Sequence, residues 1–319
     1  MALIEVRGLR KTYGRTVAVD SLDLDVDEGQ VVGVLGPNGA GKTTTVECVA
    51  GLTRPDAGTV SLAGHVPWRD RGPVTRLLGV QLQSSGLPAK LTAREAVQMV
   101  AACHDDPVDP DELVDRLGLG PVAGTRYAKL SGGQQQRLAI ATALVGRPRV
   151  VLLDELTTGL DPEARRRTWD LVRDVRDAGT TVVLVTHLME EAQQLCDRIT
   201  VVAGGRVVAE GTPDEVVAGR SAATTMSFLP TAALPSGALD GLPGVVGVRR
   251  AGDRVEVTGS DDGVRAVLRA LTAHGVEPAG LRVAASTLDE AYLELVRTTS
   301  LSTAPASTAP VSTVAEESR

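Results

Sequence analysis

Two carboxylates, one lysine and a run of glycines hold most of the chemistry that this sequence can perform. In the stretch Gly36, Pro37, Asn38, Gly39, Ala40, Gly41, Lys42, Thr43, Thr44, the glycines let backbone N–H groups close around phosphate oxygens. The apolar spacing that follows predicts a helix starting at Lys42, which points its positive end at the same oxygens. Lys42 adds a mobile cation, and the Thr43 hydroxyl can ligate Mg²⁺. Further along, Val150-Val151-Leu152-Leu153-Asp154-Glu155 predicts a buried strand with two carboxylates at its exposed end. Asp154 can hold Mg²⁺ there, directly or through water, and Glu155 can accept a proton from an attacking water. The chain has four lysines against 29 arginines, and one of the four stands where phosphate binding needs it.

These groups must be positioned by a scaffold, and the hydrophobic pattern describes one. Short, nearly continuous apolar runs at 30–35, 150–153 and 181–185 read as buried strands. Helical spacing is expected over 42–52, 92–103, 110–117, 132–145, 163–178 and through 190–192. Strand and helix alternate, so the expected fold class is α/β, a parallel sheet with helices on both faces. Strands are also expected at 3–7 and 20–28, a strand and turn at 58–64, a polar loop at about 81–90, and a strand pair at 199–210 turning at Gly204-Gly205. With 43% hydrophobic but 2% aromatic residues, the core is aliphatic. Cys48, Cys103 and Cys196 lie far apart without C-x-x-C spacing, which argues against a disulfide framework or a zinc site. The net charge of −7 is dispersed; Arg165-Arg166-Arg167 is offset by Glu163 and Asp170, and nothing resembles a nucleic-acid face. No secretory signal and no run of about 18 apolar residues is present, so another chain would have to cross any membrane involved.

A phosphate loop alone leaves kinases, GTPases and many ATPases open. Asn38 is the only asparagine, so the Asn-Lys-x-Asp guanine reader is missing, and no phosphoryl-acceptor signature is found. A second motif separates the rest: Leu130-Ser131-Gly132-Gly133-Gln134-Gln135-Gln136-Arg137. In order and spacing, the set resembles the ATP-binding subunit of ABC transporters over residues 2–217. In that resemblance, residues 36–43 match the Walker A loop, residues 130–137 the signature, Asp154 and Glu155 the Walker B carboxylates, and Asp161 the D-loop. Tyr13 matches the adenine-stacking aromatic, Gln83 the Q-loop glutamine and His187 the switch histidine. The resemblance implies a P-loop ATPase fold with an antiparallel β subdomain and a helical subdomain. It also implies a head-to-tail homodimer in which Ser131, Gly132, Gly133 and Gln134 of one copy close the ATP site of the other. Asp161 would line that interface, His187 would contact the γ-phosphate, and Gln83 would sense Mg²⁺ and link to an integral membrane permease. Glu155, His187 and Gln83 are the expected catalytic set, and Thr43, Gln83 and Asp154 the expected metal set, with ATP and Mg²⁺ as cofactors. One departure stands out: the family has proline after the catalytic glutamate, whereas Leu156 stands here, which removes a fixed φ and could loosen the turn.

Composition shifts near residue 220. An ATP-binding domain is expected over 1–220, a small α+β accessory domain over 221–297 and a disordered Ser/Thr/Ala/Pro tail over 298–319. In the accessory part, strands are expected at 245–249, 254–258 and 282–284 and helices at 263–274 and 288–297. The segment from Ser286 to Leu295 resembles the closing segment of ATPase subunits of daunorubicin-resistance exporters, and Leu288, Tyr292 and Leu295 share one helical face. This resemblance implies a cytoplasmic ATPase, peripheral on the membrane through its permease, that exports a drug, lipid or other hydrophobic compound. The alternative is a soluble ABC-class ATPase acting on ribosomes or DNA. Against it stand a single Walker A and only about ninety residues between Walker A and signature, without sustained heptads.

Overall fold

In the computed structural model, residues 2–82, 86–218, 224–235, 237–284 and 287–302 are described. The chain opens with β1 (Ala2–Tyr13) and β2 (Thr16–Asp27), then β3 (Val31–Leu35), α1 (Lys42–Val49), β4 (Ala57–Leu62), α2 (Arg71–Leu77) and β5 (Leu78–Gln81). Helices α3 (Ala93–Ala101), α4 (Pro110–Arg116) and α5 (Gly132–Leu144) follow. Strand and helix then alternate through β6 (Val150–Asp154), α6 (Pro162–Asp177), β7 (Thr181–Thr186), α7 (Met189–Leu195) and β8 (Arg198–Ala203). After β9 (Arg206–Gly211) and α8 (Pro213–Ala218) come β10 (Thr224–Pro230), β11 (Val245–Ala251), β12 (Arg254–Gly259), α9 (Asp261–Ala273), β13 (Pro278–Ala284) and α10 (Leu288–Ser302).

The apolar runs form the central layer because both of their faces are covered. Six strands lie in the order β5-β6-β7-β3-β8-β9, parallel except for the β8–β9 pair. Successive residues of each central strand enter opposite cores: Val31 and Leu35 join one cluster and Val32 and Val34 the other, and β6 and β7 alternate likewise. That is the period of two that a sheet imposes. One face is covered by α1 and a three-stranded antiparallel sheet, β2-β1-β4; the helices α3 to α7 cover the other. An α/β fold with an antiparallel β part and a helical part is therefore present.

Three differences from the sequence reading concern weak patterns. The opening strands are each 12 residues long where 3–7 and 20–28 were expected, and β1 pairs with β2 on one edge and β4 on the other. Neither α2 nor β5 was expected: α2 carries Gly72 and Pro73, and β5 is a four-residue strand just before the loop expected at about 81–90. Strand β10, also unexpected, sits at the centre of a four-stranded antiparallel sheet, β11-β12-β10-β13. Met226, Phe228, Val255 and Val257 pack there against Val267 and Leu271 of α9.

Helix α10 behaves differently from the rest of the C-terminal part. Leu288 and Leu295 are fully buried, and they join the cluster on the helical face of the six-stranded sheet. The helix packs on α7, α8, β8 and β9, so the small sheet with α9 is inserted between two elements that both belong to the large core. The structure thus assigns one helix, α9, to the small α+β unit, where the sequence pattern suggested two. Helix extends through 298–302, where the tail was expected to begin; the rest of that tail lies outside the described residues.

Candidate active site

Strands β6, β7 and β3 are parallel neighbours, so their C-terminal ends open on one edge of the sheet. From that edge β3 runs into Gly36, β6 ends on Asp154 and β7 stops one residue before His187. Local sterics set the loop after β3. A Cβ on Gly36 would sit 2.3 Å from the Val202 carbonyl oxygen. Gly41 adopts φ 101° and a Cβ there would meet the Ala18 oxygen, also at 2.3 Å. Only glycine suits both positions. Residues 38–44, with Thr16, Ala18 and Glu155, line a cleft of about 400 Å³. Helix α1 opens on this cleft with no side-chain cap and no acidic residue in its first turn, which leaves N–H groups available to an anion.

Lys42 is buried, and its Nζ donates to the Gly36 and Pro37 carbonyl oxygens at 2.8 and 3.1 Å. Burial lowers its pKa, against the opposing pull of Glu155 and Asp154. Asp154 is 1% exposed. Its backbone N–H donates to Gln81 Oε1 at 3.1 Å, and its Oδ2 accepts from the Thr43 hydroxyl at 3.2 Å. Its Oδ1 is buried without a partner among the described residues, and burial pushes the carboxyl pKa up. A hard cation suits such an oxygen pair. The Asp154 carboxylate beside the Thr43 hydroxyl fits Mg²⁺, which is commonly held by one or two carboxylates together with substrate phosphates and waters.

Glu155 adopts φ 50°, and its backbone N–H donates to the Val185 oxygen at 2.9 Å. Its Oε1 lies 3.3 Å from His187 Nδ1. The turn beyond it does not need proline. Leu156 is fully buried in the core, and the Thr157 hydroxyl donates to Glu191 at 2.9 Å. Burial of the Leu156 side chain, in place of the fixed φ of a proline, anchors this turn to the core.

Ser131 caps α5. Its Oγ accepts from the Gln134 N–H at 3.4 Å, and Gln134 Oε1 accepts from the Ser131 N–H at 2.9 Å. Asp161 caps α6, accepting from the N–H groups of Glu163 and Ala164 at 3.0 and 2.8 Å. Ser131, Gly132, Gly133, Gln134 and Asp161 line a second cleft of about 310 Å³ that shares no lining residue with the first. Lys42, Thr43, Asp154, Glu155 and His187 therefore come together in one chain, and the signature residues stand apart. Tyr13 pairs with Thr16, which lines the first cleft, and is 48% exposed, with Lys11 Nζ 5.5 Å from its ring centre. Gln83 lies outside the described residues. Sequence reasoning missed Gln81, the buried strut beneath Asp154, whose signal is a polar residue ending a buried strand.

The comparisons with known proteins agree with this geometry. The family model described as ABC transporter matches residues 19–158. The daunorubicin resistance ATP-binding protein DrrA3 of Streptomyces coeruleorubidus is 40% identical over 301 residues, covering 92% of this chain and 95% of that one. The Nod factor export ATP-binding protein I of Cupriavidus metallidurans is 40% identical over 224 residues, 68% of this chain and 73% of its own. A dimeric ATP-binding cassette solved in a post-hydrolysis state with ADP and phosphate superimposes with a TM-score of 0.60 at 28% identity, covering 66% of this chain and 98% of that chain. With the phosphate loop, both carboxylates and the histidine on one sheet edge, and a relative matched over nearly its whole length, this chain belongs to the ATP-binding family of ABC transporters and is an ATPase of that family.

Proposed function

We propose that two copies of this chain close head to tail over two ATP molecules and drive a separate membrane permease that exports a drug, lipid or other hydrophobic compound. The observation that carries the hydrolytic part is the Glu155–His187 contact at the mouth of the cleft that holds Lys42 and Thr43. Lys42 and the N–H groups of residues 38–44 bind the phosphates, and Tyr13 offers its exposed ring to adenine. Glu155 takes the proton of the water that attacks the γ-phosphorus, and His187 orients that carboxylate and meets the γ-phosphate. When bound, Mg²⁺ neutralises charge between the phosphates; Asp154 and Thr43 would hold it, with Gln83 as the third expected ligand. That Ser131 to Gln134 and Asp161 line a different cleft supports a role in completing the site of a second copy, where they would add a helix N-terminus to the γ-phosphate from outside.

Export is supported by the relatives, which are daunorubicin resistance and Nod factor export proteins. No helix among the described residues is long and apolar enough to cross a membrane. On the strength of the family alone we assign the crossing to a permease and this chain to its cytoplasmic side. We propose the small sheet with α9, inserted between α8 and α10, as an accessory domain of the ATP-binding part. Glu155→Gln is the direct test. It is expected to bind ATP normally, accumulate an ATP-bound dimer and lose about 10²- to 10⁴-fold in kcat; full turnover by this variant would remove Glu155 from the mechanism. Lys42→Ala is expected to lose nucleotide binding.

A further inference from the structure

Glu191 is a fully buried acid in the first turn of α7, a helix whose Met189, Ala192 and Leu195 all belong to the large apolar cluster. Its Oε1 accepts two hydrogen bonds, from the Thr157 hydroxyl at 2.9 Å and from the Trp169 indole N–H at 3.2 Å. Its Oε2 is buried without a partner among the described residues. A carboxyl group in such surroundings, with one oxygen unpaired, costs stability, and an apolar side chain of similar volume is generally the more stable choice. Core stability therefore does not account for a glutamate here. The two donors it gathers do.

Each donor belongs to a different functional segment. Thr157 lies two residues beyond Glu155, in the loop that leaves β6. Trp169 lies in α6, the helix that Asp161 caps. Glu191 itself stands four residues beyond His187. One oxygen thus ties the loop of Glu155, the helix opened by Asp161 and the helix that follows His187. The Glu155–His187 contact of 3.3 Å spans two of these same segments.

We infer that Glu191 is a positioning residue for hydrolysis: it sets the separation of the Glu155 and His187 loops and links both to the helix of Asp161. This rests on the reading of Glu155 given above. It acts through geometry alone, because it is fully buried and lines neither cleft. A shift of about 1 Å in a reacting group can cost up to roughly 100-fold in rate, so a strut at this point has a large lever.

The test uses the full-length chain with Glu191→Ala, Glu191→Gln, Thr157→Val and Glu155→Gln, read by steady-state ATP hydrolysis and, separately, by titration with a fluorescent ATP analogue. Glu191→Ala is expected to lower kcat by about 10- to 100-fold while the nucleotide Kd moves by less than about twofold. Glu191→Gln keeps an acceptor oxygen for both donors and is expected to lose several-fold less than the alanine variant. Thr157→Val preserves shape and removes one donor, so its kcat is expected to fall with Kd unchanged. A glutamate that merely supported the fold would move Kd, kcat and thermal stability together, and that result would overturn the inference. So would native turnover by Glu191→Ala, or a glutamine variant as slow as the alanine one. Should Glu191→Ala fail to fold, Thr157→Val decides: native kcat overturns the strut, reduced kcat with intact Kd supports it. An active Glu155→Gln would overturn the reading of Glu155 itself, whereas an inactive Glu155→Gln beside an unimpaired Glu191→Ala removes only Glu191.

Discussion

Asp154 holds a carboxyl group whose ionised form is less favourable folded than unfolded, because burial raises its pKa and leaves Oδ1 unpartnered. A raised folded pKa means that its contribution to stability is full below the unfolded pKa and is lost as pH rises through the folded one. Asp154→Asn is therefore expected to raise the melting temperature of the nucleotide-free chain at pH 7, by roughly 2–4 °C per kcal/mol regained. The gain should shrink as the pH is lowered through the usual carboxylate range, and Mg²⁺-dependent hydrolysis should be lost. Calorimetry at pH 7 and pH 4 checks this; a lower melting temperature at pH 7 would contradict it. Leu156 gives a second expectation at this scale. Truncation to alanine empties a fully buried position beneath the turn after Glu155, so a loss of about 2–5 kcal/mol in denaturant unfolding is expected. Residue types were readable in the sequence at both positions. That leucine could replace proline was not, since it depends on a core assembled from other segments.

At the scale of elements, α10 carries the clearest consequence. Leu288 and Leu295 are buried in the large core although they follow the small sheet in sequence. Either leucine changed to alanine is expected to cost about 2–5 kcal/mol, and to lower the unfolding transition that MgATP shifts upward. Phe228→Ala should act on the small sheet instead, leaving the nucleotide-stabilised transition in place. Thermal unfolding with and without MgATP separates the two, and a shift of the same transition by Phe228→Ala would argue against separate cores. Elements with strong periodicity, such as β3, α5, β6, α6 and β7, were legible from the sequence. Short elements containing glycine or proline, α2 and β5, were not, because tertiary pairing creates them against weak local preference. Periodicity also marked the apolar face of α10 without saying which core would receive it.

For the whole molecule, the separation of the two clefts leads to a complementation test. Lys42→Ala spoils the phosphate loop and keeps the signature; Ser131→Arg, expected to bind ATP without hydrolysing it, does the reverse. In a head-to-tail dimer, a mixture of the two forms contains one intact composite site per mixed dimer. Mixing two variants that are inactive alone is expected to restore hydrolysis, to at most about half of the native rate per mixed dimer, as measured by phosphate release against mixing ratio. No recovery at any ratio would speak for a site complete within one chain. The linear order of residues determined which groups are suited to phosphate, which carboxylates follow a buried strand, and that a strand–helix alternation carries them, because these depend on local spacing and side-chain type. Tertiary structure alone decided that β6, β7 and β3 are neighbours, which brings Asp154, Glu155 and His187 to the phosphate loop. It also decided that Gln81 supports Asp154, that Glu191 ties three segments together and that the signature stands in another cleft. Those facts arise from the pairing of strands and the burial of side chains far apart in sequence, which no local pattern encodes.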